Sequence, residues 1–294
     1  MIIVTGTKRS GTSMWMQILI AAGFPPFGDA FPRKWGETIR EANPDGFYES
    51  LLREGIYWRT NPHPQTGAYF FPEQVQRHVV KVFIPGLVRS DRAYIGSVIA
   101  TVRPWREYVA SLDRLFALER QALVDKPLAP KPPPRMPAAL EWWQQNYALI
   151  RDIVIRRHRV HVQSYDGLLD DPEKTIRDTL AWLGDGDADG AVAAVKPTHR
   201  TQKAPEVEGV DADVAAVFDE LYATVHERRP LTASFVSGLN TLHAKLVPQI
   251  REHAQAIQRE QRRRRAAHRQ AMAEAGRAAA DEPDALEHDD PLLR

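Results

Sequence analysis

The chain has 294 residues, 43% of them hydrophobic and 26% charged, and a formal net charge of +1. That length supports one large core, and a near-neutral balance speaks against a whole-molecule nucleic-acid binder. The absence of cysteine removes disulfides, thiolate metal sites and a cysteine nucleophile together.

Met1 leads directly into Ile2-Ile3-Val4, without the basic region and apolar run of a signal peptide, and no stretch approaches the ~18 apolar residues of a membrane span. A soluble, cytoplasmic protein is expected. The β-branched run Met1–Thr5 predicts a buried strand, and Thr12–Ala22 has apolar residues at helical spacing before Gly23 stops it. Residues 24–46 are rich in turn signals, and Leu51–Trp58 is expected to be helical. Strands are predicted at Val79–Phe83 and Ile95–Val102, the second running through Arg103-Pro104 into an amphipathic helix ending near Gln121. Six prolines between residues 126 and 137 make a stiff excursion, read as a linker. A helix from Pro137 to Arg157, a strand at Val160–Val162 and a helix at Pro172–Leu183 follow. This alternation predicts an α/β fold, a central parallel sheet flanked by helices. From about Val210 the pattern is helical, giving an α/β domain over 1–247 and a charged tail over 248–294. Arg251–Arg269 carries seven arginines against two glutamates, and the last fourteen residues carry six acids. Such blocks read first as a solvated helix face or tail, and second as a partner or polyanion contact or an oligomer contact.

The informative stretch is Gly6-Thr7-Lys8-Arg9-Ser10-Gly11-Thr12-Ser13. It keeps a P-loop frame, in which glycines let successive N–H groups curl inward and a helix N-terminus adds positive potential for an anion. The lysine that follows the second glycine in a nucleoside-triphosphate loop is replaced by Thr12, and the positive charge moves to Lys8 and Arg9. A shorter anion than a triphosphate fits this variant better.

Arg9-Ser10-Gly11-Thr12-Ser13 resembles the 5′-phosphosulfate loop of sulfotransferases that use 3′-phosphoadenosine 5′-phosphosulfate (PAPS). Arg103 at a strand end, with Ser111 eight residues on, is similar to the pair that grips the 3′-phosphate in that family. Ser164-Tyr165-Asp166 through Asp171-Pro172-Glu173 resembles a third family segment, in which the Tyr lies near the nucleotide. The resemblance runs in order over residues 1 to about 184. It implies a P-loop-like sulfotransferase of bacterial type, with Lys8, Arg9, Ser10, Gly11, Thr12, Ser13, Arg103, Ser111 and Tyr165 toward PAPS and Arg9 with Lys8 also catalytic. The chain departs from the cytosolic branch of the family at three places. Phe83 stands where a Lys-Thr-His strand would put the general-base His. Met14 rather than Trp15 aligns with an adenine-stacking Trp, and the C-terminal Arg-Lys-Gly segment is missing, with Lys196–Arg200 as a possible substitute and Arg200 as its candidate ligand. Asn43-Pro44-Asp45-Gly46-Phe47-Tyr48-Glu49 resembles a bacterial segment, which makes Glu49 the first choice of base and Asp45 the second. The other reading of Glu49 is a solvated residue capping a helix from Leu51.

The ten histidines form no metal-binding pattern, and no metal is expected; His158 and His161 lack an acidic ligand in sequence. The acceptor, a hydroxyl or an amine, is unidentified. Phe24, Phe27, Phe31, Trp35, Tyr69, Phe70 and Phe71 in the loops are either an acceptor lining or packing. Two other functions stay open. One is a small-molecule or nucleoside kinase with a degenerate loop; the other is a non-catalytic nucleotide-binding module with a basic partner-binding tail.

Overall fold

The computed structural model describes residues 1–32, 40, 43–124, 134–195 and 206–281. Trp35, most of the Pro-rich excursion, and Lys196–Arg200 lie outside the described residues. In chain order the strands are β1 (Ile2–Gly6), β2 (Pro26–Phe27), β3 (Val79–Lys81), β4 (Ser97–Val102) and β5 (Val160–Ser164). The helices are α1 (Thr12–Ala21), α2 (Ile84–Arg89), α3 (Trp105–Val124), α4 (Ala138–Arg156), α5 (Tyr165–Asp170), α6 (Pro172–Leu183), α7 (Ala188–Ala193), α8 (Ala212–His226) and α9 (Ala233–Asp281). Among the described residues, those up to 124 and from 137 to 247 belong to one compact unit, and those at 134–136 and 248–281 to a second.

All strand pairs are parallel, in the order β2-β3-β1-β4-β5. This is the α/β sheet with flanking helices that the alternating pattern implies, and its β1 and β4 are buried along their whole length. β1 sits at the centre with β3 on one side and β4 on the other. The chain therefore leaves β1 and β4 at adjacent carboxyl ends, where open α/β sheets keep their binding crevices.

One core cluster joins β1 (Ile2, Val4) and β4 (Ile99) to Trp15, Met16, Ile18 and Leu19 of α1 and to Ile176 and Leu180 of α6. Trp15 is fully buried, as its helical spacing implies. Elsewhere Trp142 and Trp143 of α4 pack on Phe218 of α8, at ring-centroid distances of 5.3 and 5.1 Å. The Trp142 indole N–H donates to the Arg103 carbonyl at 2.8 Å, which pins the end of β4.

Two elements differ from expectation. Leu51–Trp58 forms only a 3₁₀ turn, Leu51–Glu54. Gly55 ends it at φ 109°, where a Cβ would lie 2.6 Å from the Gly86 carbonyl oxygen, so close approach to α2 outweighs the local helical pattern. β3 stops at Lys81, and Phe83 instead precedes α2, whose Pro85 sits in the first turn.

His161 on β5 stacks on Trp182, with ring centroids 5.0 Å apart. Burial, seconded by Arg228 and opposed by Asp178, lowers its pKa from 6.5 to about 4. Between these values the unfolded chain binds the proton and the folded chain does not, so stability falls as pH drops from about 6.5 to about 4. Urea midpoints at pH 7 and pH 5 should show this loss, and His161→Phe, which keeps the ring stack, should reduce it. An equal loss in the variant would assign the acid sensitivity to other groups.

Candidate functional site

β1 delivers the chain to Gly6, where a Cβ would meet Ser10 Oγ at 2.4 Å and the Thr101 carbonyl oxygen at 2.6 Å. Ser10 Oγ donates to the Thr7 carbonyl at 2.7 Å, and Thr101 Oγ1 on β4 donates to the Ser10 carbonyl at 2.8 Å. Arg9 and Gly11 both lie at positive φ, 65° and 94°. A left-handed non-glycine residue costs on the order of 1 kcal/mol or more, so the surrounding bonds hold the loop against its local preference. Gly11 caps α1 with no side-chain bond. The N–H groups of the first turn have no intrahelical acceptor, so the loop presents donors and the positive end of α1 together.

The second sequence element meets the first. Arg9 Nε donates to Ser111 Oγ at 3.1 Å, and Arg103 Nη1 donates to the Arg9 carbonyl at 3.1 Å. Arg103 is 5% exposed, so it is no surface cap. Its Nε and Nη2 both donate to Glu107 Oε2, at 3.3 and 3.1 Å. Its guanidinium lies 4.5 Å from the centre of the Tyr165 ring. That ring in turn covers Gly11, where a Cβ would lie 2.9 Å from Tyr165 Cδ2. Burial, then the like charges of Arg103 and Arg114, lower the Arg9 pKa to about 10, with Tyr165 opposing. Burial is the larger cause, and the neighbouring guanidinium of Arg103 adds to it, so Arg9 is held in a partly desolvated, cationic setting.

Beside the loop lies a buried ionic cluster. Lys81 Nζ donates to Ser13 Oγ at 3.1 Å, to the Phe47 carbonyl at 2.9 Å and to Glu49 Oε1 at 3.0 Å. Arg53 Nη1 holds Glu49 Oε2 at 2.9 Å. Glu49 is 7% exposed, which corrects its reading as a solvated cap. Burial pushes the Lys81 ammonium below the ordinary lysine range; Glu49 draws it back, while Arg9 and Arg53 push it further down. The Phe83 ring lies 5.9 Å from Lys8 Nζ and 5.8 Å from Lys81 Nζ. Asp45 sits in the turn before Gly46, whose carbonyl accepts from Gln17 Nε2 of α1 at 3.5 Å. Arg200 lies outside the described residues.

Sequence reasoning passed over Lys81, Glu107 and Arg114 as site residues. Lys81 carried a signal, a lysine inside the otherwise apolar Val79-Val80-Lys81-Val82 run. Glu107 carried another, one helical turn after Arg103. The aromatic residues divide. Phe24 is core, Phe27, Phe70 and Tyr94 pack on one another, and Tyr69 and Phe71 are exposed. His158 does have an acidic neighbour, Asp152 Oδ2 at 2.9 Å, yet no group of three metal-binding side chains occurs among the described residues. No helix among the described residues is long and apolar enough to cross a membrane.

No family model and no curated protein matches the chain. Solved structures similar to it include two sulfotransferase domains. One is the sulfotransferase domain of the olefin synthase of Synechococcus PCC 7002, at 15% identity over 82% of this chain and 94% of that one, with a TM-score of 0.38. The other is the sulfotransferase domain of the curacin biosynthetic pathway, at 12% identity over 84% and 96%, with a TM-score of 0.37.

Gly11→Ala tests the loop. The new methyl would meet Tyr165 at a φ that side chains avoid, so a loss of roughly 1–3 kcal/mol is expected together with weaker anion binding. Calorimetric melting with and without inorganic pyrophosphate measures both. A variant that melts and binds like the parent would show that the loop is not held as described.

Proposed function

We propose that this chain is a PAPS-dependent sulfotransferase that passes a sulfuryl group to an acceptor hydroxyl or amine. The observation that carries the reading is the convergence of Arg9, Ser111 and Arg103 at the carboxyl ends of β1 and β4, above a glycine-bounded loop. What supports the donor is that Gly6 and Gly11 let the loop close tightly on Ser10, Thr101 and Tyr165, with Lys8, Arg9 and Arg103 gathered about it as the counter-charge phosphates require. Loop residues Lys8 to Ser13 would hold the 5′-phosphosulfate. Arg103 and Ser111 would hold the 3′-phosphate, with the Tyr165 ring beside them. The donor supplies the sulfuryl group.

In the transfer the acceptor atom forms a bond to sulfur as the bond to the 5′-phosphate oxygen breaks. Arg9 and Lys8 stabilise charge on the sulfuryl and leaving oxygens, and Lys81, joined to the loop through Ser13, is placed to add to this field. A carboxylate takes the acceptor proton. Glu49 is the first candidate; both its oxygens are held by Lys81 and Arg53, so one contact must yield for it to act. Asp45 is the second.

Incubation with PAPS and a panel of phenols, alcohols, amines and glycans, followed by mass spectrometry of 3′-phosphoadenosine 5′-phosphate and a sulfated product, tests the reaction. Glu49→Gln and Asp45→Asn should then separate the bases. The variant that loses turnover while still binding the bisphosphate identifies the group. No acceptor-dependent bisphosphate from any member of the panel would count against the reading.

A further inference from the structure

The near-neutral total charge conceals a segregation along α9. From Arg251 onward, steps of four and three residues pick out Arg251, Gln255, Gln258, Arg262, Arg265 and Arg269, all exposed. Such alternating steps keep one side of an α-helix, so these six side chains form a single stripe about 27 Å long. It contains no carboxylate. The arginine block holds two acids: Glu252 follows Arg251 but lies about 100° round the helix from it, and Glu260 lies on the side opposite the stripe, bound there by Arg263 and Arg264 at 2.9 and 2.8 Å. The stripe thus presents positive charge and amide groups that no acid of its own helical face neutralises. Within residues 251–269 the one large apolar side chain is Ile257. A helix that inserts into a membrane interface needs a face of Trp, Phe or Leu, which this segment lacks.

We propose that this stripe is a docking face for double-stranded DNA. A duplex carries one phosphate charge per ~1.7 Å, so ~27 Å of helix faces a dense row of counter-charges. The B-form major groove is ~12 Å wide and admits an α-helix, whereas the A-form major groove of RNA does not. Arginine and glutamine are also side chains that pair in fork geometry with phosphates and base edges. The contact is mainly electrostatic and independent of sequence. It is separate from the sulfuryl-transfer reading and does not rest on it.

The test is fluorescence anisotropy of a labelled 20-base-pair duplex of mixed sequence titrated with the full chain. With four arginines contributing, affinity should fall roughly 100-fold between 50 and 200 mM salt. Replacing Arg251, Arg262, Arg265 and Arg269 together by glutamine should weaken binding at 50 mM salt at least ~10-fold and flatten the salt dependence. Circular dichroism and the melting temperature of that variant should match the parent, since the four side chains are exposed. No binding at 50 mM salt, or equal binding by the variant, overturns the proposal. So does tighter binding to heparin, or to phosphatidylcholine–phosphatidylserine vesicles, than to the duplex. DNA binding that appears only after residues 282–294 are removed would make that acidic segment, rather than DNA, the occupant of the stripe in the full chain.

Discussion

Arg103→Ala is expected to lose binding of 3′-phosphoadenosine 5′-phosphate by about 10- to 100-fold and to lower the melting temperature by roughly 6–20 °C. The two losses have different causes. Binding falls because a guanidinium donating to a phosphate contributes about 1.5–3 kcal/mol, and the arginine also holds the carbonyl of Arg9. Stability falls because Glu107, 4% exposed, is left as a buried charge without the guanidinium that occupies it. Breaking a buried pair from one side costs about 3–5 kcal/mol, and for a chain of this size each kcal/mol is worth about 2–4 °C. The double variant Arg103→Ala/Glu107→Ala separates the effects. It should regain much of the melting temperature and none of the affinity. Thermal melting with and without the bisphosphate reads both, and recovered affinity in the double variant would remove Arg103 from the site.

Lys81→Met should show the reverse division, with turnover reduced about 100- to 1000-fold and affinity for the bisphosphate changed only a few-fold. The ammonium touches Ser13 of the loop and Glu49, so it acts on charge that develops during transfer more than on phosphate already bound. Methionine keeps the length and volume of the side chain. Removal of the ammonium leaves Glu49 paired with Arg53. The stability loss should therefore be smaller than for Arg103→Ala, because the lysine's own burial cost disappears with it. Steady-state kinetics beside calorimetry decides the point. An equal loss in binding and turnover would make Lys81 a residue that only shapes the loop.

The strand–loop–helix at Ile2–Ala21 and the strand-end Arg103 were legible because each is written within about twenty consecutive residues, in periods and glycine spacing that short-range physics enforces. The alternation implied a parallel sheet, but the order that sets β1 between β3 and β4 shows only in the fold. The Lys81–Glu49–Arg53 cluster was not legible. Its members come from β3 and from an irregular segment 32 positions away, and only the fold brings them together. α2 was hidden for another reason. Pro85-Gly86 reads as a turn in isolation, yet the proline suits the first helical turn, and Gly86 is needed because a Cβ there would lie 2.7 Å from the Arg53 carbonyl oxygen. The contact between Arg9 and Ser111 spans 102 positions, and the spacing of Arg103 and Ser111 told only half of it.

The central claim is that the loop and the Arg103 cluster form a receptor for a nucleotide with phosphates at both ends of its ribose. Isothermal calorimetry of the full chain with 3′-phosphoadenosine 5′-phosphate, beside ADP and ATP with Mg²⁺, tests it most directly. The account predicts binding of the bisphosphate at least ~10-fold tighter than ADP, with a melting temperature raised as saturation by ligand requires; about 2.7 kcal/mol is expected at a hundred times the dissociation constant. Binding of ATP with Mg²⁺ in preference to the bisphosphate would contradict it and return the loop to a kinase.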